Sequence, residues 1–260
     1  MTVVIVLTVF FATILGSISG IGGGVLIKPV MDAISGLSSS VISFLSGTTV
    51  LTMTIVSLLR SRNGSVKIDR RGTFLAIGAA VGGYLGKMIF SMMVQSVNEA
   101  LVGLVQNIIM VILTVAVFFY VKYKAKVRTL NVTGPAGCIT SGLFMGILSS
   151  FLGIGGGPIN IMILSYFFSM DTKTAALNSL YVIFFSQMVS LVSNIISRDI
   201  PPFEWPLLLM MMATAVIGAT LGRKLSNKMD EHKVDVLFMG LLIIITAISV
   251  YNCFKFGLLI

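Results

Sequence analysis

The chain has 260 residues, 56% of them hydrophobic and only 10% charged, with a formal net charge of +9. Soluble domains carry about a quarter of their residues as charges, and a mean hydropathy of +1.03 excludes a water-soluble globular protein. The excess of positive charge gives no argument for nucleic acid. It falls in three short loops, 60–71 (Arg60, Arg62, Lys67, Arg70, Arg71), 122–128 (Lys122, Lys124, Lys126, Arg128) and 223–233 (Arg223, Lys224, Lys228, Lys233), the distribution that places loops on the cytoplasmic side of a membrane.

In chain order, the apolar run 3–15 comes first. It lacks the basic leading segment of a cleavable signal and reads as a retained helix. The loop Gly20-Ile21-Gly22-Gly23-Gly24 follows, then a short apolar limb at 25–34 and long apolar runs at 37–59, 72–93 and 100–120. After the basic stretch the order repeats: an apolar run at 139–152, the loop Gly153-Ile154-Gly155-Gly156-Gly157, a short limb at 158–170, and long runs at 174–196, 206–225 and 234–254. Runs of about twenty apolar residues span a bilayer core, whereas runs of ten to fourteen suit half-helices. The expected organisation is a first transmembrane repeat at 1–121, a cytoplasmic linker at 122–136 and a second repeat at 137–260. Each repeat is a helix–glycine loop–short helix hairpin plus three transmembrane helices, in an all-α polytopic protein of the cell membrane.

The halves align beyond the glycines. Ser46 meets Ser179 at the spacing that relates Gly20 to Gly153, and Gly82-x-x-x-Gly86-Lys87 meets Gly218-x-x-x-Gly222-Arg223. Small residues four apart let membrane helices approach closely, so this second pair reads first as packing, with Lys87 and Arg223 reaching toward the interface. Loop charge decides the parity of the repeat. Loop 60–71 is basic while its partner around Arg198, Asp199 and Glu204 is net acidic; loop 87–99 is nearly neutral while 223–233 is basic. Equivalent loops of opposite bias imply that the second half is inverted relative to the first, with 60–71, 122–128 and 223–233 cytoplasmic.

An irregular glycine loop inside hydrocarbon leaves backbone groups unpaired at about several kcal/mol each, and persists only where it is buried in protein or lines a polar cavity. A short helix follows each loop, and the first N–H groups of a helix lack intrahelical partners and carry partial positive charge. Two such N-termini meeting near the midplane, with Gly23 beside Gly156, would make an anion site without fixed charge. The candidate substrate-binding residues are Gly22, Gly23, Gly24, Lys28, Ser46, Gly155, Gly156, Gly157, Asn160, Asn178 and Ser179. Lys28 either complements the anion or snorkels to the interface, and the glycines alternatively serve close helix crossing. Thr48, Thr49 and Gln187 lie on the same two helices as Ser46 and Ser179. No carboxylate sits in the middle of a long apolar run; proton coupling would use Asp32 or Asp171, which close the two short limbs, or a proton carried by the permeant itself.

A glycine triplet after the first helix of each half, with Pro29 five residues past the first triplet, the Ser46 and Ser179 pair and a basic central loop, resembles the TauE/SafE family of membrane transporters. The second copy departs from the pattern, with Met162 where Pro29 would be matched and Pro158 directly after the triplet. The resemblance covers nearly the whole chain. It implies transport of small sulfur-containing oxyanions or organosulfonates such as sulfite, by alternating access around a midplane site formed by the two loops.

The other readings are a membrane-embedded enzyme and a non-transporting assembly protein. The chain has no HExxH, GxSxG or paired intramembrane carboxylates, and neither glycine loop continues as a Walker or Rossmann motif, so an enzyme is not expected. An assembly protein leaves the doubled loop unexplained. Cys138 and Cys253 read as packed thiols and His232 as a loop residue, so no metal and no cofactor is expected. The expected partners are a small anionic substrate and the lipid bilayer, with no nucleic acid; a homodimer stays open.

Overall fold

The computed structural model describes residues 2–62, 68 and 70–260; Lys67, counted above in the first basic loop, lies outside the described residues. Every extended element among the described residues is helical: α1 (Thr2–Ser19), α2 (Gly24–Ile34), α3 (Ser39–Ser61), α4 (Arg70–Ser96), α5 (Glu99–Tyr123), α6 (Pro135–Leu152), α7 (Pro158–Phe168), α8 (Thr172–Ile196), α9 (Trp205–Ser226) and α10 (Glu231–Gly257). Among the described residues eight helices are long and apolar enough to cross a membrane, and α1 is one of them. The exceptions, α2 and α7, have 11 residues each. At 1.5 Å per residue each covers about 16 Å, half a bilayer core.

Several long helices start on side-chain caps placed by the sequence. Ser38 accepts from the Val41 N–H, Asn98 from Ala100, Asp171 from Thr174 and Asp230 from Lys233, each satisfying a donor the helix leaves orphaned. The short helices do not. Gly23 and Gly157 stand at their N-caps without a side-chain acceptor, and Pro158 opens α7.

The second hairpin turns back on itself. Leu130 and Val132, just before α6, donate their N–H groups to the Tyr166 and Phe167 carbonyls at the end of α7, both at 2.8 Å. The two ends of that hairpin therefore lie side by side, which the half-length of 158–170 anticipates. Nearby, Lys124 reaches Asp235 of α10 and bonds Thr172 of α8 at 3.1 Å, tying the linker to the second half.

Packing exchanges the two halves. α1 lies along α9 and α6 along α4; α3 also packs on α9 and α8 on α4; α2 sits on α10 and α7 on α5; α3 meets α8, and α5 meets α10. Replacing each helix by its repeat counterpart maps this set of pairings onto itself. The α4–α6 contact is the closest. A Cβ added to Gly78 would lie 2.1 Å from the Ile139 carbonyl oxygen, one on Gly82 2.2 Å from that of Leu143, and one on Gly142 2.1 Å from that of Leu75. Gly218 and Gly222 make the equivalent approach to Phe10, Thr13, Ile14 and Ser17 on α1. The small-residue ladders thus serve helix packing, where close backbone approach replaces a hydrophobic driving force absent in lipid.

Gly82→Leu should destabilise the protein by about 1–3 kcal/mol, the range for overpacked cores, read as a lower unfolding midpoint in detergent. Gly240 has open space where a Cβ would go, and Gly240→Ala should leave that midpoint unchanged or higher.

Candidate functional site

The glycine loops cross at the centre of the bundle. A Cβ on Gly24 would lie 2.4 Å from the Ile154 carbonyl oxygen, and one on Gly22 would lie 3.6 Å from that of Gly155. Space therefore demands glycine at position 24. Conformation demands it at Gly22 and its repeat partner Gly155, with φ of +80° and +79°, a region that side chains rarely occupy. Val50 of α3 and Ile183 of α8 close the crossing: Val50 would meet a Cβ on Gly155 at 2.4 Å and Ile183 one on Gly22 at 3.4 Å. Contact between the loops runs through Gly22 and Gly24 on one side and Ile154 and Gly155 on the other. Gly23 instead faces Ala12 and Thr13 of its own hairpin, and Gly156 faces Asn160.

The N-termini of the short helices come together at this crossing. Val25, in the first turn of α2, would lie 3.3 Å from a Cβ on Gly157, the N-cap of α7. Asn160, in the first turn of α7, is fully buried and neither its Nδ2 nor its Oδ1 has a hydrogen-bond partner. A buried amide without partners costs about 1–3 kcal/mol per group. Its Nδ2 lies 2.4 Å from where a Cβ on Gly156 would be, which ties it to the loop.

The remaining candidates divide. Ser179 Oγ donates to the Gly20 carbonyl at 2.6 Å, so this hydroxyl holds the first loop against α8. Ser46, its counterpart, is fully buried with a free Oγ. Asn178 is one residue from Ser179 but turns to another face: its Nδ2 donates to the Thr174 carbonyl, and its Oδ1 lies 2.7 Å from a Cβ built on Gly72 of α4. The structure does not bring it to the loops. Lys28 follows neither expected course. It pairs with Asp32 one turn later at 3.0 Å, with both side chains almost fully buried. Asn107 of α5 also donates to Asp32, and Lys255 of α10 to its carbonyl. The charge on Lys28 is thus already balanced. At Asp171, partial burial pushes the carboxyl up, but bonds from Thr174 outweigh it and hold it below the usual carboxylate range. That carboxylate is ionised at neutral pH and serves as the α8 cap.

A polar cavity of about 70 Å³ reaches the second loop at Gly153. Ser40 and Ser43 of α3, Lys87 of α4, and Gln187, Ser190 and Asn194 of α8 line it. Lys87 pairs with Asp199 at 3.2 Å, and Ser91 donates to the same carboxylate. Ser43 Oγ has no partner, and Ser43 would meet a Cβ on Gly153 at 2.7 Å. Sequence reading left out Ser43, although it stands one helical turn before Ser46, on the same face. It also took Lys87 for an interface residue, whereas the Lys87 side chain is 13% exposed and faces the cavity.

Crossed half-helices inside a bundle of spanning helices, with a polar cavity leading to the crossing, define a polytopic membrane protein of transporter architecture. Residues 5–249 match the family model for the sulfite exporter TauE/SafE, and the chain belongs to that family of membrane transporters. It is also 24% identical over 274 residues to the probable membrane transporter protein YunE of Bacillus subtilis (strain 168), covering 96% of this chain and 97% of the relative. No solved structure gives a significant match.

Two substitutions separate the paired from the unpaired hydroxyl. Ser179→Ala orphans the Gly20 carbonyl and should lower stability by about 1–2 kcal/mol. Ser46→Ala breaks no hydrogen bond and should leave the unfolding midpoint in detergent unchanged.

Proposed function

We propose that this transporter carries small oxyanions, of the sulfite and short organosulfonate class, across the cell membrane by alternating access around the crossed glycine loops. One observation carries the reading: two uncapped helix N-termini meet at the crossing beside a buried Asn160 amide with no partner. N-terminal N–H groups and the macrodipole favour an anion, and the Asn160 amide supplies a further donor. Because the positive potential arises from backbone, the site accommodates ligands by size and charge, with modest discrimination among sulfite, short sulfonates and small carboxylates. Gly22, Gly24 and Gly155 allow the close approach of the loops, Gly157 that of Val25, while Gly23 and Gly156 belong to the same two loops, and Ser46 adds a hydroxyl. Ser179 and Lys28 act indirectly in this reading, Ser179 by fixing the loop and Lys28 by pairing with Asp32. Asn178, turned toward α4, is left without a ligand role.

The inverted arrangement of the halves is read from loop charge; the exchange-symmetric helix pairing supports a two-fold relation between the halves. In this orientation the linker 122–136 and the loop 223–233 face the cytoplasm, and the cavity at Lys87 and Asp199 opens outward.

Proteoliposomes loaded with radiolabelled sulfite should exchange it, and methanesulfonate should compete while sodium or potassium salts of an inert anion should not. Cation transport without anion competition would overturn the reading. Asn160→Ala should raise the apparent sulfite constant about tenfold, the effect of losing one bond to a charged ligand, with little loss of folded yield.

Topology has its own check. In a background without Cys138 and Cys253, a cysteine at Lys228 should react with a membrane-impermeant thiol reagent only from the cytoplasmic side. One at Ile200 should react only from outside. Labelling of both from one side would contradict the inversion.

A further inference from the structure

Arg223 is the residue whose position the account so far leaves unexplained. It stands in the last turn of α9, where a basic side chain ordinarily extends to the membrane surface. Its neighbour Lys224 is exposed. Arg223 is only 8% exposed, and its Nε has no hydrogen-bond partner. Asp199, Asp230 and Asp235 are engaged elsewhere, with Lys87, Lys233 and Lys124. A buried guanidinium N–H without an acceptor is costly unless a ligand or partner completes it.

The repeat indicates what that partner is. Arg223 is the counterpart of Lys87, and their helices sit on their partners in the same way. A Cβ on Gly86 would lie 2.3 Å from the Ile147 carbonyl oxygen, and one on Gly222 would lie 2.4 Å from that of Ile14, the repeat equivalent of Ile147. Lys87 lines the polar cavity with Ser150 and Ser190. The equivalents of those serines, Ser17 and Ser57, lie on α1 and α3 facing α9. Their hydroxyls are 2.9 Å apart, and Ser17 donates to the Ala219 carbonyl one turn before Arg223. The serines beside Lys87 line a cavity, whereas their equivalents on the Arg223 side are bonded to each other.

We propose that Arg223 is a second oxyanion-binding residue, at the mouth of the path opposite Lys87, which takes the substrate between the glycine crossing and the cytoplasm. The inference rests on the anion-transport reading and adds a charged station to it. A guanidinium binds a planar or tetrahedral oxyanion through two parallel N–H bonds, and the Ser17 and Ser57 hydroxyls stand ready when the closed side opens. Lys87 plays the equivalent part on the open side, held meanwhile by Asp199.

Purified protein in detergent, titrated with sulfite and separately with methanesulfonate while thermal unfolding is followed, tests this directly. Wild type and Lys224→Gln should be stabilised alike. Arg223→Gln should lose at least about tenfold in apparent affinity, while its midpoint without anion stays equal to or above that of wild type, because a buried N–H without a partner has gone. Arg223→Lys, which keeps charge and loses the fork, should fall between them. Unchanged anion affinity in Arg223→Gln overturns the proposal. So does a lower anion-free midpoint in that variant, which marks a structural role. If Arg223→Gln does not fold, Arg223→Lys decides, and an affinity equal to wild type overturns the proposal. Uptake in proteoliposomes separates the two readings. Absence of sulfite flux in wild type strikes the transport reading, whereas flux with an unaltered constant in Arg223→Gln strikes only the role of Arg223.

Discussion

Backbone polar groups in hydrocarbon need partners, and the rest of this architecture follows from how the two glycine loops meet that requirement. Neither loop has a helix or sheet to hold it. Each instead lies against the other, between Val50 and Ile183, with the Gly20 carbonyl bonded to Ser179. The crossing exists only because the helices around it can come close enough to enclose it. The ladders of Gly78, Gly82 and Gly142 on one side and Gly218 and Gly222 on the other draw α4 onto α6 and α9 onto α1. Pairing of helices from opposite halves is then a consequence, since each hairpin is completed by a helix of the other repeat.

This dependence explains which features were legible in the sequence. The doubled glycine loop, the half-length limbs at 25–34 and 158–170, the six long apolar runs and the shorter runs at 3–15 and 139–152 are local patterns, and they correspond to α2, α7 and the spanning helices. The packing role of Gly82 and Gly218 is equally local, because small residues four apart permit little else. Directions of side chains were not legible. Asn178 and Ser179 are adjacent, and helical geometry sends one to α4 and the other to the loop; which one goes where depends on how α8 is rotated against its neighbours. Lys28 and Asp32 are one turn apart, a spacing that suggests a pair, but their burial against Asn107 and Lys255 depends on α5 and α10 packing over α2. The polar cavity is less legible still, since α3, α4 and α8 each contribute isolated polar residues that form no motif.

The buried Lys28–Asp32 pair bears on mechanism through what it removes. A lysine one turn after the loop would dominate the potential there if it were free. With Asp32 3.0 Å away and Asn107 also donating to that carboxylate, the pair is close to neutral and its field falls off quickly. The first loop therefore presents its backbone rather than a side-chain charge.

The scaffold is nearly symmetric, and the chemistry placed on it is not. Asn160 has Ile27 as its repeat counterpart, Lys28 has Ile161, and Pro158 replaces Val25. Ser179 is bonded where Ser46 is free. Proline at the start of α7 removes one N–H from that helix end, and the amide of Asn160 restores a donor two residues later. The first half keeps its full set of N-terminal N–H groups in α2 and carries no amide. Each half therefore offers donors to the crossing by a different route, backbone in one and side chain in the other. The matching helix pairings of the two halves bring the two loops together. Residues 25–29 and 158–162 differ, with the Asn160 amide in α7 where α2 has Ile27.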